Sequence, residues 1–149
     1  MALFNSFINS LLDLFFFNSN IANLGDATGI RGSTTAGNLY LSLHTASPGV
    51  GGDMTTNEAS YTGYARIAVT RDAAGWTRTL QTITNDAVLN FGTWTAGSTS
   101  PITHVSMGGQ ATGPGTPIAL ATLAAPVAVG AGNPVPSIAI GAATFVFSS

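Results

Sequence analysis

Residues 3–17 read LFNSFINSLLDLFFF, and the spacing of their apolar side chains decides what the rest of the chain must provide. Leu3, Phe4, Phe7, Ile8, Leu11, Leu12 and Phe15 recur at the three- and four-residue steps of one α-helical face, with Asn5, Ser6, Asn9 and Asp13 opposite. Fully burying side chains of this size contributes about 1.5–3 kcal/mol each. Leu14, Phe16 and Phe17 widen the apolar surface beyond what an isolated soluble domain leaves in water. Something must cover it, either a sheet of the same chain or the same helix of neighbouring copies. No Lys or Arg precedes Arg31, which argues against a secretory signal. Asn5, Asn9, Ser10, Asp13 and Asn18 interrupt a transmembrane window, which needs about 20 nearly continuous apolar residues. The polar face also lacks the Lys and Arg usual in a helix lying on a lipid surface. A protein-packed helix is the expectation, with no membrane partner.

Outward from the helix, residues 18–37 are rich in Asn, Gly, Ser and Thr, which supply turns rather than regular structure. Connections longer than about 12–15 residues are uncommon unless functional. This one is a candidate arm wrapping a neighbouring subunit, anchored by Ile21, Leu24 and Ile30, mobile when free and ordered when bound. Leu39, Leu41 and Leu43 then alternate with Tyr40, Ser42 and His44, the period of a strand with one face on a core. Pro48 ends it, and residues 47–60 form an exposed loop. A second strand follows at 65–70, and Trp76 restarts the extended chain. Further short strands are expected near 81–84, 87–91, 102–107, 118–123, 127–129 and 137–147, separated by Gly, Pro, Asn and Ser clusters. At the end, Phe145 and Phe147 are expected to face inward in preference to Thr144 and Val146. For residues 111–141 the Ala, Val and Ile content favours small-residue strands packed closely together, the alternative being a flexible binding tip. The fold expected is mainly β: an N-terminal amphipathic helix and arm (1–37), then a single antiparallel β-sandwich or jelly-roll-like domain (38–149).

Composition narrows the function. Of 149 residues only 7% are charged, against about 25% in ordinary soluble domains, and Lys is absent. A dispersed protein keeps a well-charged surface, so much of this one is expected to be covered by partners. Arg31, Arg66, Arg71 and Arg78 are too few, and too mixed with acids, for the basic stripe that binds nucleic acid. The absence of Cys excludes disulfides and thiolate metal sites. His44 and His104 have no HxxxH or HExxH spacing, although Asp53 and Glu58 lie in the loop after His44. Both histidines are expected to hydrogen-bond at a surface or interface. There is no G-x-S-x-G elbow. The glycine-rich pieces 49–52 and 108–115 lack the Lys and following helix of a phosphate loop. Tyr61, Tyr64, Trp76 and Trp94 could line a sugar-binding face, but such residues are more often core or interface anchors. No catalytic residue, cofactor or metal is expected, and an enzyme is not.

The quoted helix, the LYLSLHTASPG strand, Asn57-Glu58 in a glycine-containing loop, YTGYARIAV before Trp76, and LNFGTWTAG leading into ITHVSMGG together resemble small virion proteins of tailed bacteriophages. These are of the tail-fibre-like or head-decoration (cement) type. Leu41, Thr45, Ala46, Glu58, Gly63, Tyr64, Ala65 and Arg66 carry the clearest likeness. The resemblance implies a non-enzymatic structural protein. Its leading form is a cement protein on the outer capsid surface, a homo-oligomer expected to be a trimer, clamping neighbouring major capsid protein subunits. The alternative is a tail-fibre or tail-attachment component contacting the host surface. The assembly interface expected is Phe4, Phe7, Ile8, Leu11, Leu12, Phe15, Phe16, Ile21, Leu24 and Ile30.

Overall fold

The computed structural model describes residues 3–22, 24, 32 and 34–146. It is mainly β with antiparallel strand pairing and one N-terminal helix, the class the sequence predicts. Two compact units emerge. One holds residues 1–38, 70–88 and 138–149; the other holds 39–69 and 89–137.

In the first unit, helix α1 (Asn5–Phe17) turns Ile8, Leu12 and Phe16 inward, an i, i+4, i+8 row on one face. Asn18 stops the helix in the left-handed conformation (φ 55°), which Asn tolerates better than branched residues do. The Asn18 and Ser19 N–H groups both donate to the Asp13 carbonyl. The helix carries no basic residue in its last turn. Arg71 supplies one from outside, donating to the Phe15 and Leu14 carbonyls, where a cation complements the negative end of the helix dipole. Arg78 adds an ion pair to Asp13 at 2.8 Å.

The partner of α1 is a three-stranded sheet of β3 (Trp76–Thr79), β4 (Thr82–Asn85) and β9 (Thr144–Val146), with β4 in the centre. Phe16, Trp76 and Phe145 form the heart of this unit. Ring centroids are 5.0 Å apart for Phe16–Trp76 and 6.1 Å for Trp76–Phe145, both edge-on, the geometry aromatic quadrupoles prefer. Phe145 thus faces inward as expected; Phe147 lies outside the described residues. The single strand expected over 137–147 is instead two short ones, β8 (Ser137–Ile138) and β9. A turn through Gly141 (φ 73°) separates them. Buried Asn85 holds that turn: its amide donates to the Ala87 and Ala139 carbonyls, and its Oδ1 accepts from the Ala143 N–H.

The second unit is built on a four-stranded sheet, order β2-β1-β6-β7, with β1 (Asn38–His44), β2 (Ile67–Thr70), β6 (Ile102–Gly108) and β7 (Pro117–Val127). The two-stranded pair of β5 (Leu89–Asn90) and β8 stands apart from that sheet. Leu39, Leu41, Leu43, Ile102, Val105 and Met107 are buried. Ser42 and His44, on the opposite face of β1, are buried too, because β1 is a central strand covered on both faces. In place of the two strands expected at 118–123 and 127–129 there is one 11-residue strand, β7, which ends at Val127. Most of its side chains are exposed, so the close burial expected from its small apolar residues is overturned. β7 is an edge strand, and small side chains there have no second layer over them.

Two glycines of the motif blocks meet directly. Gly63 (φ 103°) and Gly92 (φ 84°) lie backbone to backbone, a Cβ on Gly92 falling 1.9 Å from the Gly63 carbonyl oxygen. Any side chain at either position would force the segments apart. The bridge between Thr62 and Ala96 and the Tyr61 hydroxyl donating to the Phe91 carbonyl complete the same junction.

Candidate assembly surface

Most apolar residues of α1, with Phe4 at its N-cap, fall into two adjoining rows. Ile8, Leu12 and Phe16 belong to the chain's own core, as does Ile21 after the helix. Phe4, Phe7, Leu11 and Phe15, again at three- and four-residue steps, form the outer row. Phe4 is 82% exposed and Phe15 44%, while Phe7 and Leu11 are half-buried. Leu24 is exposed, and Ile30 lies outside the described residues. Residues 23, 25–31 and 33 of the 18–37 arm lie there too. In its described part, Gly32 donates to the Asn20 side chain, and its Cα sits against the Asn18 carbonyl with no room for a Cβ. Sequence spacing merges the two rows because both obey the helical period; the burial of each side chain in the folded chain separates them. Among the described residues no helix is long and apolar enough to cross a membrane.

Glu58, Tyr64 and Arg66, three residues of the clearest motif block, converge into one cluster. The Arg66 side chain is 3% exposed. Its Nε and one Nη donate to the two Glu58 oxygens at 2.7 and 2.8 Å. The remaining donors reach the Gln110 and Gly113 carbonyls at 3.0 and 2.9 Å and the Met54 sulfur at 3.9 Å. Such a planar fork matches a carboxylate bidentately. The Tyr64 hydroxyl donates to Glu58 at 2.8 Å and accepts the Leu43 N–H at 3.0 Å. Burial pushes its pKa well above the usual range, so it stays protonated. A groove of about 320 Å³ runs beside these residues, but the charged groups lining it are all engaged. Its chemistry is that of a clamp, pinning the glycine-rich 109–115 turn to the loop before β2. Sequence reading placed Glu58 as a loop acid. The signal for the clamp was the motif spacing itself, with an acid, a Tyr and an Arg within nine residues.

His44 is fully buried, which corrects the expectation of a surface or interface histidine. Nδ1 lies 2.9 Å from the Thr56 carbonyl, and Nε2 lies 2.8 Å from the Ser106 hydroxyl and 3.1 Å from Ser42. Because a carbonyl only accepts, Nδ1 carries the proton and Nε2 accepts from a serine. Burial, the largest cause, holds the imidazole below its ordinary pKa, against the Thr56 hydrogen bond that raises it. A serine beside a histidine is also the start of a nucleophilic pair. Ser42 and Ser106 are as buried as the ring, however, so here the three groups satisfy one another inside the sheet. Asp53 caps its own turn through Thr55 and Thr56, and those hydrogen bonds lower its carboxyl pKa. His104 reaches the Thr103 hydroxyl at 2.8 Å.

No curated protein sequence matches the chain. The family model described as Podophage GP4 fiber I protein gp80 does, over residues 9–146. That span takes in the helix from its second turn onward, the motif stretches from LYLSLHTASPG to ITHVSMGG, and all nine strands among the described residues. The chain therefore belongs to the Gp80 family of podophage fibre I proteins and is a structural protein of a phage virion.

Proposed function

We propose that this chain is a non-enzymatic fibre subunit at the tail of the virion, and that it assembles with copies of itself through the outer row of α1. The observation that carries the assembly reading is the outer row, with Phe4 and Phe15 exposed and Phe7 and Leu11 half-buried, on a chain with 7% charged residues. The helix bears a single charge, Asp13, already paired to Arg78. A neutral apolar row of this kind suits the same row on another copy, and closed rotational symmetry is the usual result. The description of the family as fibre proteins supports the fibre reading.

Particles lacking the protein test the location. A fibre subunit predicts lost adsorption to host cells with an unchanged temperature of DNA release. A cement protein, partnered by the major capsid protein, predicts the reverse. For assembly, Phe4→Ser with Phe15→Ser should lower the mass in light scattering while leaving the fold intact, since neither residue is in the core. An unchanged mass would remove the outer row from the interface.

A further inference from the structure

The outer edge of β7 is long and carries no charged side chain. β7 runs 11 residues, Pro117–Val127, and pairs with β6 on one side; on the other it meets no strand among the described residues. Natural proteins guard such edges with charged side chains, Lys above all. Here no Asp, Glu, Lys or Arg occurs anywhere after Asp86. Ile118 and Leu120 are 45% and 43% exposed on one face of the strand, and Ala121 is exposed on the other. The sheet's opposite edge, β2, is four residues long and bracketed by Arg66 and Arg71. In length and in lack of charge, the match for β7 is another β7.

We propose that two copies of this chain pair antiparallel along β7, about a two-fold axis passing through the stretch 119–122. This rests on the self-assembly reading above and adds a contact that α1 does not supply. The stretch is the regular part of the strand: Ala119–Thr122 follow Met107–His104 residue for residue, and the register breaks on either side. Pro117 and Pro126 have no N–H to donate and end the ladder. The bulges and prolines limit the pairing to one short register, which gives a closed pair of sheets rather than an open-ended stack. An isologous contact is self-complementary, as two antiparallel copies of one strand are.

The chain has no cysteine, so single cysteines report the pairing directly. Residues facing themselves across an antiparallel two-fold have Cα atoms about 4.5–5.5 Å apart, within the range a disulfide spans. Ala119→Cys, Leu120→Cys, Ala121→Cys and Thr122→Cys are oxidised in turn, with Val50→Cys, on a fully exposed loop, as the collision control. One position of the four should form disulfide dimers at least about tenfold faster than the control and its neighbours, because one step along the strand already carries the self-pair beyond bonding distance. Leu120→Lys should lower the mass reached in sedimentation at a given concentration, leaving only the association that α1 supplies, with the circular dichroism spectrum unchanged. A flat cross-linking profile in a protein that still self-associates would overturn the β7 pairing and leave the α1 reading standing. A protein that remains monomeric at millimolar concentration would overturn both.

Discussion

Replacing Arg66 by Met removes the one cation in the Glu58–Tyr64 cluster while keeping most of its volume. The Glu58 side chain is 17% exposed and that of Arg66 3%, so the pair is largely out of water. Breaking such a pair from one side costs about 3–5 kcal/mol, because the remaining charge is left unpaired. The Gln110 and Gly113 carbonyls lose their donors as well. For a chain of this size about 2–4 °C of melting temperature accompanies each kcal/mol, so Arg66→Met should melt roughly 10 °C lower. The double variant Glu58→Leu with Arg66→Met strands no charge and should be less destabilised than the sum of its parts, with a coupling of about 0.5–3 kcal/mol. Urea unfolding followed by far-ultraviolet circular dichroism measures all three. A loss under about 1 kcal/mol for Arg66→Met, the value of an exposed ion pair, with additive single and double variants, would refute the clamp.

Asn85→Ala should destabilise the first unit by about 2–3 kcal/mol, since it removes three buried hydrogen bonds and leaves their partners unsatisfied; calorimetry checks it, and a loss below 0.5 kcal/mol, estimated as the scale of a surface change, would contradict it. Phe16→Ala should cost about 3–5 kcal/mol and Phe15→Ser far less, so denaturation midpoints should rank the inner row of α1 above the outer one. Buried His44 is neutral in the folded protein and takes up a proton more readily when unfolded, where its ordinary value is 6.5. Its contribution is therefore complete above that value and is lost as pH falls below it toward the depressed folded value. Glu58, Arg66 and His104 modulate this from the neighbouring elements. Urea midpoints at several pH values should show an acid-side slope that His44→Phe reduces; an identical slope in the variant would remove His44 as its source.

Where a signal is local, the sequence carries it. The helical period of residues 3–17 and the alternation of Leu39, Leu41 and Leu43 are properties of neighbouring residues, and α1 and β1 lie where they predict. β7 was less legible because Ala and Pro give weak alternation, so one long edge strand reads as two short strands. Its exposure was illegible for a related reason: composition reports suitability for burial, whereas position in the sheet order decides whether a second layer exists. His44 and Asn85 were hidden more deeply. Their burial depends on partners as distant in sequence as Ser106, at 62 residues, and Ala143, at 58. The clamp sits between these cases, since Glu58, Tyr64 and Arg66 are close in the chain but their last two acceptors, the Gln110 and Gly113 carbonyls, are not.

The central claim, a self-assembled fibre subunit, is tested most directly by averaged images of intact particles reconstructed without imposed capsid symmetry, with the protein located by its own density. The account predicts clustered copies confined to the tail vertex, in contact with one another through α1. Density for this chain repeated over the capsid lattice, each copy bridging major capsid subunits, would contradict it and establish the cement role instead.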